Sequence, residues 1–163
     1  MAEALRCIKP RTESEEATIQ RALDLLAGRL KSSQYFTSPN DAQDYLRLKL
    51  APSHRELFAI LFLDAGHRLI DDEVMFMGTV ASCSVHPREI MLRALSLNTS
   101  AIILGHNHPS GSLTFSSEDK HLTQRIFDAG YLLDICVLDH ILVTSDGSAS
   151  MANLGIMPEA TPT

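Results

Sequence analysis

The residues LFAILFL at 57–63 form an unbroken apolar run, bounded by His54-Arg55-Glu56 on one side and Asp64-Ala65-Gly66-His67 on the other. A run this short, closed by turn residues, reads as a strand with both faces covered rather than as a helix. Such a strand needs partner strands beside it and further layers above and below. A chain of 163 residues is long enough to supply them from one core.

The rest of the chain offers those layers. Ile19, Leu23, Leu26 and Leu30 step by four, three and four, which places them on one face of a helix over residues 12–31. Thr12 and Glu15 fit a capping box at its start. A second helix is expected from Ser38, with Pro39 at the first helical position, Asp41 completing the cap and Pro52 ending it near Leu50. After the apolar run, a tight turn at Ala65-Gly66 leads to a neighbouring strand over 68–79. Pro87 and Glu89 open a helix whose core contacts are Ile90, Ala94 and Leu95. Residues 101–104 read as another buried strand, and 116–130 as a helix closed by Gly130 as its cap. Residues 132–138 and 141–144 read as two more strands, followed by a turn at Asp146-Gly147. The order α-α-β-β-α-β-α-β-β predicts an α/β fold: a mixed central β-sheet flanked by helices, with a short N-terminal helical segment over 1–37 and the main domain over 38–157.

Charge narrows the partners. The net charge is −6, and it is uneven: residues 1–50 carry 8 basic and 7 acidic side chains, residues 51–163 carry 6 and 13. A core this acidic does not attract polyanions by its field, so nucleic acid is disfavoured as a partner. Cys7, Cys83 and Cys136 lie far apart and form no C-x-x-C, which argues against a zinc ribbon or a disulfide framework. Cys83 is expected to be a buried structural thiol. The start MAEALRCIKPRTESEE has no apolar signal core, and no apolar run approaches about 18 residues, so a cytoplasmic chain without membrane contact is expected.

The strand at 101–104 runs into Gly105-His106-Asn107-His108-Pro109. Residues two apart in an extended chain point to the same side, so His106 and His108 can aim two imidazoles at one point. That arrangement suits zinc, although H-x-H alone is a weak signal. The loop 109–115 then leads to Ser116-Ser117-Glu118-Asp119 at a helix start. It is long enough to fold the first helical turn back onto the strand end, where Asp119 would be a third ligand and the fourth position stays open to water. Ser116-x-x-Asp119 is equally an ordinary helix cap. Glu56, at the mouth of the apolar strand, is the best candidate for a base near the metal, since partial loss of solvent strengthens a carboxylate in that role.

The string Glu56 … His106-x-His108-x(7)-Ser116-x-x-Asp119 resembles the JAMM signature of the MPN-domain metalloproteases. Glu56-Leu57-Phe58-Ala59-Ile60-Leu61 fits that family's E-x-x-A-[IL]-[LF] strand. The text SVHPREIMLRALSLNTSAIILGHNHPSGSLTFSSEDKHLTQRI, together with Val137-Leu138-Asp139-His140, is similar to the RadC branch, and the resemblance extends over residues 38–155. It implies a JAB/MPN fold, a layered α/β architecture like that of cytidine deaminases. It also implies one Zn2+ per chain on His106, His108 and Asp119, with Glu56 as general base and Ser116 helping to stabilise the oxyanion. The activity implied is that of a zinc metallopeptidase or isopeptidase acting on a peptide or protein, with ubiquitin-like tails as the substrates of JAMM relatives. Full-length RadC proteins carry an N-terminal helix-hairpin-helix module. No paired Gly-x-Gly hairpin occurs in the first 50 residues here, so the resemblance is to the short form.

Two rival expectations stand beside the hydrolase. One is a DNA-repair accessory or nucleic-acid-processing protein, as the RadC label suggests; the other is a zinc-bearing scaffold without turnover. Self-association is left open. His86 is expected near a helix cap, ahead of a role beside the metal cleft, and Asp139 and His140 are expected to make structural hydrogen bonds at a turn between strands, ahead of a charge relay.

Overall fold

The computed structural model describes residues 12–31, 39–78 and 85–159. Cys7, Ser38 and Cys83, named above, and the last residue of the strand expected over 68–79 lie outside these residues. Elements follow in the order α1 (Glu13–Lys31), α2 (Pro39–Leu50), β1 (Leu57–Leu63), β2 (Leu69–Met77), α3 (Pro87–Ser96), β3 (Ala101–Asn107), α4 (Ser117–Leu132), β4 (Cys136–Val143) and β5 (Ser148–Ser150). The strands make one five-stranded mixed sheet in the order β2-β1-β3-β4-β5. Only β3 and β4 run parallel, joined through α4 as a crossover. The α/β fold with flanking helices is as the sequence predicts.

The period of two along the strands sorts the core onto two faces. Ala59, Leu61, Leu63, Ile103, Ile141 and Val143 pack with Ala42, Tyr45, Leu46 and Leu50 of α2, and Leu23 and Leu26 of α1 join them. Phe58, Ile60, Phe62, Ile102, Leu104 and Val137 pack instead with Ile90, Met91 and Ala94 of α3 and Ile126 of α4. Each such Leu, Ile or Phe, when fully buried, contributes about 1.5–3 kcal/mol. Parity therefore assigns faces. Even-numbered side chains of β1 and β3 meet α3 and α4, and His106 inherits that direction.

Gly105 is on the face that meets α2, where Leu46 leaves little room for a side chain. A Cβ there would fall 2.7 Å from Leu46 Cδ1, and Leu46 is itself fully buried. We expect Gly105→Ala to cost about 1–3 kcal/mol through overpacking, read as a lower urea midpoint at unchanged slope.

Several boundaries differ from the sequence reading. β3 extends to Asn107 instead of ending at Leu104, because His106 pairs with Phe58 on one side and Leu142 on the other. The helix α4 passes through Gly130 and ends at Leu132. Gly130 is there for close approach and not as a cap: a Cβ would meet the Ile135 carbonyl oxygen at 2.5 Å. Asp134, with φ of 56°, makes the reversal instead.

The expected pair of strands at 132–138 and 141–144 is one strand, β4, so Asp139-His140 is not a turn. The register slips between Ile102 and Ile103, where Ile102 faces Val137 and Ile103 faces Asp139, which leaves Leu138 as the extra residue of a bulge. Asp139 is tolerated in a strand because its carboxylate accepts from Ser150 Oγ at 2.6 Å, His140 N at 2.7 Å and Ala152 N at 2.9 Å. Burial still holds its pKa above the ordinary value. The last strand is β5, after the expected turn at Asp146-Gly147.

At the chain's start the Thr12–Glu15 capping box is present, with Thr12 N donating to Glu15 Oε2 at 2.7 Å. His86 occupies the N-cap of α3 with Pro87 next to it. Leu95, expected in the core, is instead 53% exposed. Cys136 is a free, exposed thiol. No helix among the described residues is long and apolar enough to cross a membrane.

Candidate metal centre

The last turn of β3 and the first turn of α4 meet at the carboxyl end of the parallel strand pair, the usual place for ligands in open α/β sheets. His106 is buried, and its ring lies 4.8 Å from that of His108. Their Nε2 atoms are 3.1 Å apart. His108 donates from Nδ1 to the Ser112 carbonyl at 3.0 Å, because a carbonyl can only accept. That bond turns its Nε2 inward.

Ser116 is the N-cap of α4, and the capping box is complete. Ser116 Oγ accepts from Asp119 N at 3.0 Å, while Asp119 Oδ2 accepts from Ser116 N and Oγ, each at 2.7 Å. The box leaves Asp119 Oδ1 free to face His106 Nε2 at 3.3 Å, with Oδ2 3.5 Å from His108 Nε2. The two readings of Ser116-x-x-Asp119 are therefore compatible: the cap aims the carboxylate at the histidines.

Electrostatics follow from this packing. Burial acts to raise the Asp119 pKa, but His106 and His108 outweigh it and hold the carboxyl well below the usual range. His108 is raised by its contact with Asp119, against the opposing effect of burial. A tetrahedral ion with bonds of 2.0–2.1 Å to nitrogen spaces its donor atoms by about 3.3 Å. The two Nε2 atoms, 3.1 Å apart, fit that spacing, and Asp119 brings a different oxygen to each, Oδ1 at 3.3 Å from His106 and Oδ2 at 3.5 Å from His108.

Glu56 approaches from β1. Its ligand atom and those of His106 and His108 all lie within 4.8 Å of one another, a group able to hold a metal ion. Asn107, 1% exposed, fixes this segment. Its Oδ1 accepts from Leu57 N at 2.7 Å, and its Nδ2 donates to the carbonyls of Arg55 at 3.0 Å and Ser53 at 3.3 Å. The backbone on both sides of Glu56 is thus tied to the end of β3.

These residues share a cleft of about 750 Å³, bordered by Pro109, Ser110, Ser112 and Thr114 on the loop and by Glu118, His121, Leu122 and Arg125 along α4. All the residues singled out from sequence, Glu56, His106, His108, Ser116 and Asp119, line it. Phe115, by contrast, is buried, its ring 6.0 Å from His106 and 5.5 Å from His140. The sequence assigns no role to Asn107 or Thr123 and places His140 at a turn, with structural hydrogen bonding ahead of a charge relay. Thr123 has a legible signal, standing one helical turn after Asp119 on the same face of α4.

Residues 36–156 match the model of the RadC-like JAB domain. The chain is 45% identical over 159 residues to a UPF0758 protein of Polaromonas sp. (strain JS666), covering 95% of this chain and 71% of that one. It is 45% identical over 141 residues to a UPF0758 protein of Acidovorax sp. (strain JS42), covering 86% of this chain and 59% of the relative. It is 42% identical over 157 residues to a UPF0758 protein of Leptothrix cholodnii, covering 94% and 71%. The chain thus spans between 59% and 71% of the length of these relatives. With Glu56 just ahead of β1, its paired histidines and a match that spans all five strands, the chain belongs to the RadC-like JAB domain family.

Proposed function

We infer that the chain is a zinc-dependent metallopeptidase or isopeptidase of the JAMM type, acting on a peptide or protein. The observation that carries this reading is the convergence of His106 Nε2, His108 Nε2 and Asp119 Oδ1 on the cleft that Glu56 also enters. In it, His106, His108 and Asp119 hold the ion. When bound, zinc polarises a carbonyl and makes water acidic enough to attack at neutral pH. Asp119 takes a ligand's place because it brings one oxygen within 3.5 Å of each imidazole, and Glu56, whose ligand atom lies within 4.8 Å of both histidines, takes the base's.

Glu56 accepts the proton of the attacking water and returns it to the leaving amine. Asn107 keeps that carboxylate at the cleft through the two peptides around it. Ser116 donates to the developing oxyanion by turning its hydroxyl from Asp119 Oδ2 toward the substrate, while Asp119 keeps the Ser116 N–H. The loop bearing Pro109, Ser110 and Ser112 faces α4 across the cleft, leaving a channel for an extended backbone.

The test is metal content followed by cleavage. The purified chain should retain about one zinc per molecule after dialysis. It should also cleave members of a panel of fluorogenic peptides and ubiquitin-like isopeptide conjugates, in a manner stopped by a chelator and restored by zinc. Absence of metal, or cleavage indifferent to the chelator, would overturn the reading. Affinity for DNA that falls steeply with salt, without peptide cleavage, would favour the nucleic-acid alternative.

A further inference from the structure

Behind the cleft runs a chain of buried hydrogen bonds that the proposed reaction does not use. His106 Nδ1 lies 2.8 Å from His140 Nε2, and His140 Nδ1 lies 2.6 Å from Thr123 Oγ1. The Thr123 hydroxyl is also 2.6 Å from the backbone carbonyl oxygen of Asp119. His140 and Thr123 are each 0% exposed, and the rings of Phe58 and Phe115 flank His140, both at 5.5 Å.

Counting hydrogens fixes the direction of this chain. A carbonyl oxygen only accepts, so the Asp119 contact consumes the single hydrogen of the Thr123 hydroxyl. That hydroxyl must then accept from His140, whose proton sits on Nδ1. A neutral imidazole protonated there has a bare Nε2, which accepts from His106 Nδ1–H. A neutral His106 then turns a bare Nε2 toward Asp119 and His108, a set of acceptors that an ion would join.

We propose that His140 is a positioning residue: with Thr123 and the Asp119 carbonyl behind it, it holds His106 in the Nδ1–H tautomer and presents Nε2 as a metal-binding lone pair. The proposal rests on the metal site inferred above. Histidine ligands regularly donate their second N–H to an acceptor, and carboxylates, carbonyls or water usually fill that place. A neutral imidazole can also donate, so its own direction has to be set from behind. Thr123 sets it. The relay begins at the Asp119 carbonyl and returns to the Asp119 carboxylate, so the placement of this first helical turn governs both a ligand and the tautomer of its neighbour. His108 lacks such backing and relies on one loop carbonyl, that of Ser112.

Thr123→Val is the sharpest test, since it keeps the shape and leaves His140 free to reverse. Zinc affinity, measured on the full chain by competition with a chromophoric chelator, should fall about 10–100-fold in Thr123→Val and in His140→Leu, and recover in Thr123→Ser. Circular dichroism and melting curves select the folded variants. Two-bond ¹⁵N–¹H spectra should show His140 as the Nδ1–H tautomer in the wild type, with or without zinc, and a shift toward Nε2–H in Thr123→Val, with His106 as the Nδ1–H tautomer once zinc is bound. Wild-type affinity in folded Thr123→Val, or a wild-type His140 protonated on Nε2, would overturn the proposal. If the wild type binds no zinc, the metal reading fails, while the tautomer spectra of the metal-free chain still decide the relay.

Discussion

Replacing Glu56 by glutamine is expected to leave the zinc content near wild type while reducing turnover by about 10²–10⁴-fold, the range for loss of a positioned general base. Glutamine has the same shape and keeps an oxygen acceptor, but it takes up no proton at neutral pH. The half-buried side chain stands just ahead of β1, where Asn107 holds the flanking peptides through Leu57 N and the Arg55 carbonyl. The exchange touches none of those bonds, so the fold around it stays in place. Because the Glu56 ligand atom is within 4.8 Å of the histidine nitrogens, the same variant separates two roles. A base loses rate and keeps metal, whereas a ligand loses both. Metal analysis on the same preparation as the kinetics decides it: joint loss would make Glu56 a ligand, and full activity would remove it from the chemistry.

The parts of this site legible in the sequence are those governed by short-range geometry. The run LFAILFL needed two buried faces, and both are occupied. The i, i+2 spacing of His106 and His108 put two rings on one side because strand periodicity is local. Asp119 was legible because the N3 position of a capped helix points back toward its own N-terminus.

His140 was not legible as part of the site, since it stands 34 residues from its partner His106. Whether two distant strands lie in register depends on pairing, which local pattern does not encode. Asp139 hid it further: a buried carboxylate next to a histidine reads as a turn until Ser150, Ala152 and the bulge at Leu138 satisfy it. Gly130 misled for a related reason. A glycine needed because another backbone approaches closely looks, in one dimension, like a glycine needed for a cap.

The double role of Asp119 gives the second large effect, and it can be taken apart. Any ligand that binds only the folded chain stabilises it by mass action, about 4 kcal/mol at a free concentration a thousand times its dissociation constant. In the wild type, zinc should therefore raise the urea midpoint well above that measured with a chelator. Ser116→Ala removes the capping hydroxyl from Asp119 N and Oδ2 and should cost about 0.5–2 kcal/mol in both conditions, leaving the zinc-dependent gain intact. Asp119→Asn acts on that gain. Its amide oxygen can still accept from Ser116 N, so most of the cap survives, but the anionic oxygen facing His106 is gone, and two imidazoles alone hold zinc far less tightly. The gain from zinc should then largely vanish, while metal-free stability falls through the lost pairing of the carboxylate with the two histidines. Urea titrations of the three chains, with zinc and with chelator, check this directly. A zinc-dependent gain in Asp119→Asn equal to that of the wild type would reduce the carboxylate to a helix cap and leave Glu56 as the third ligand.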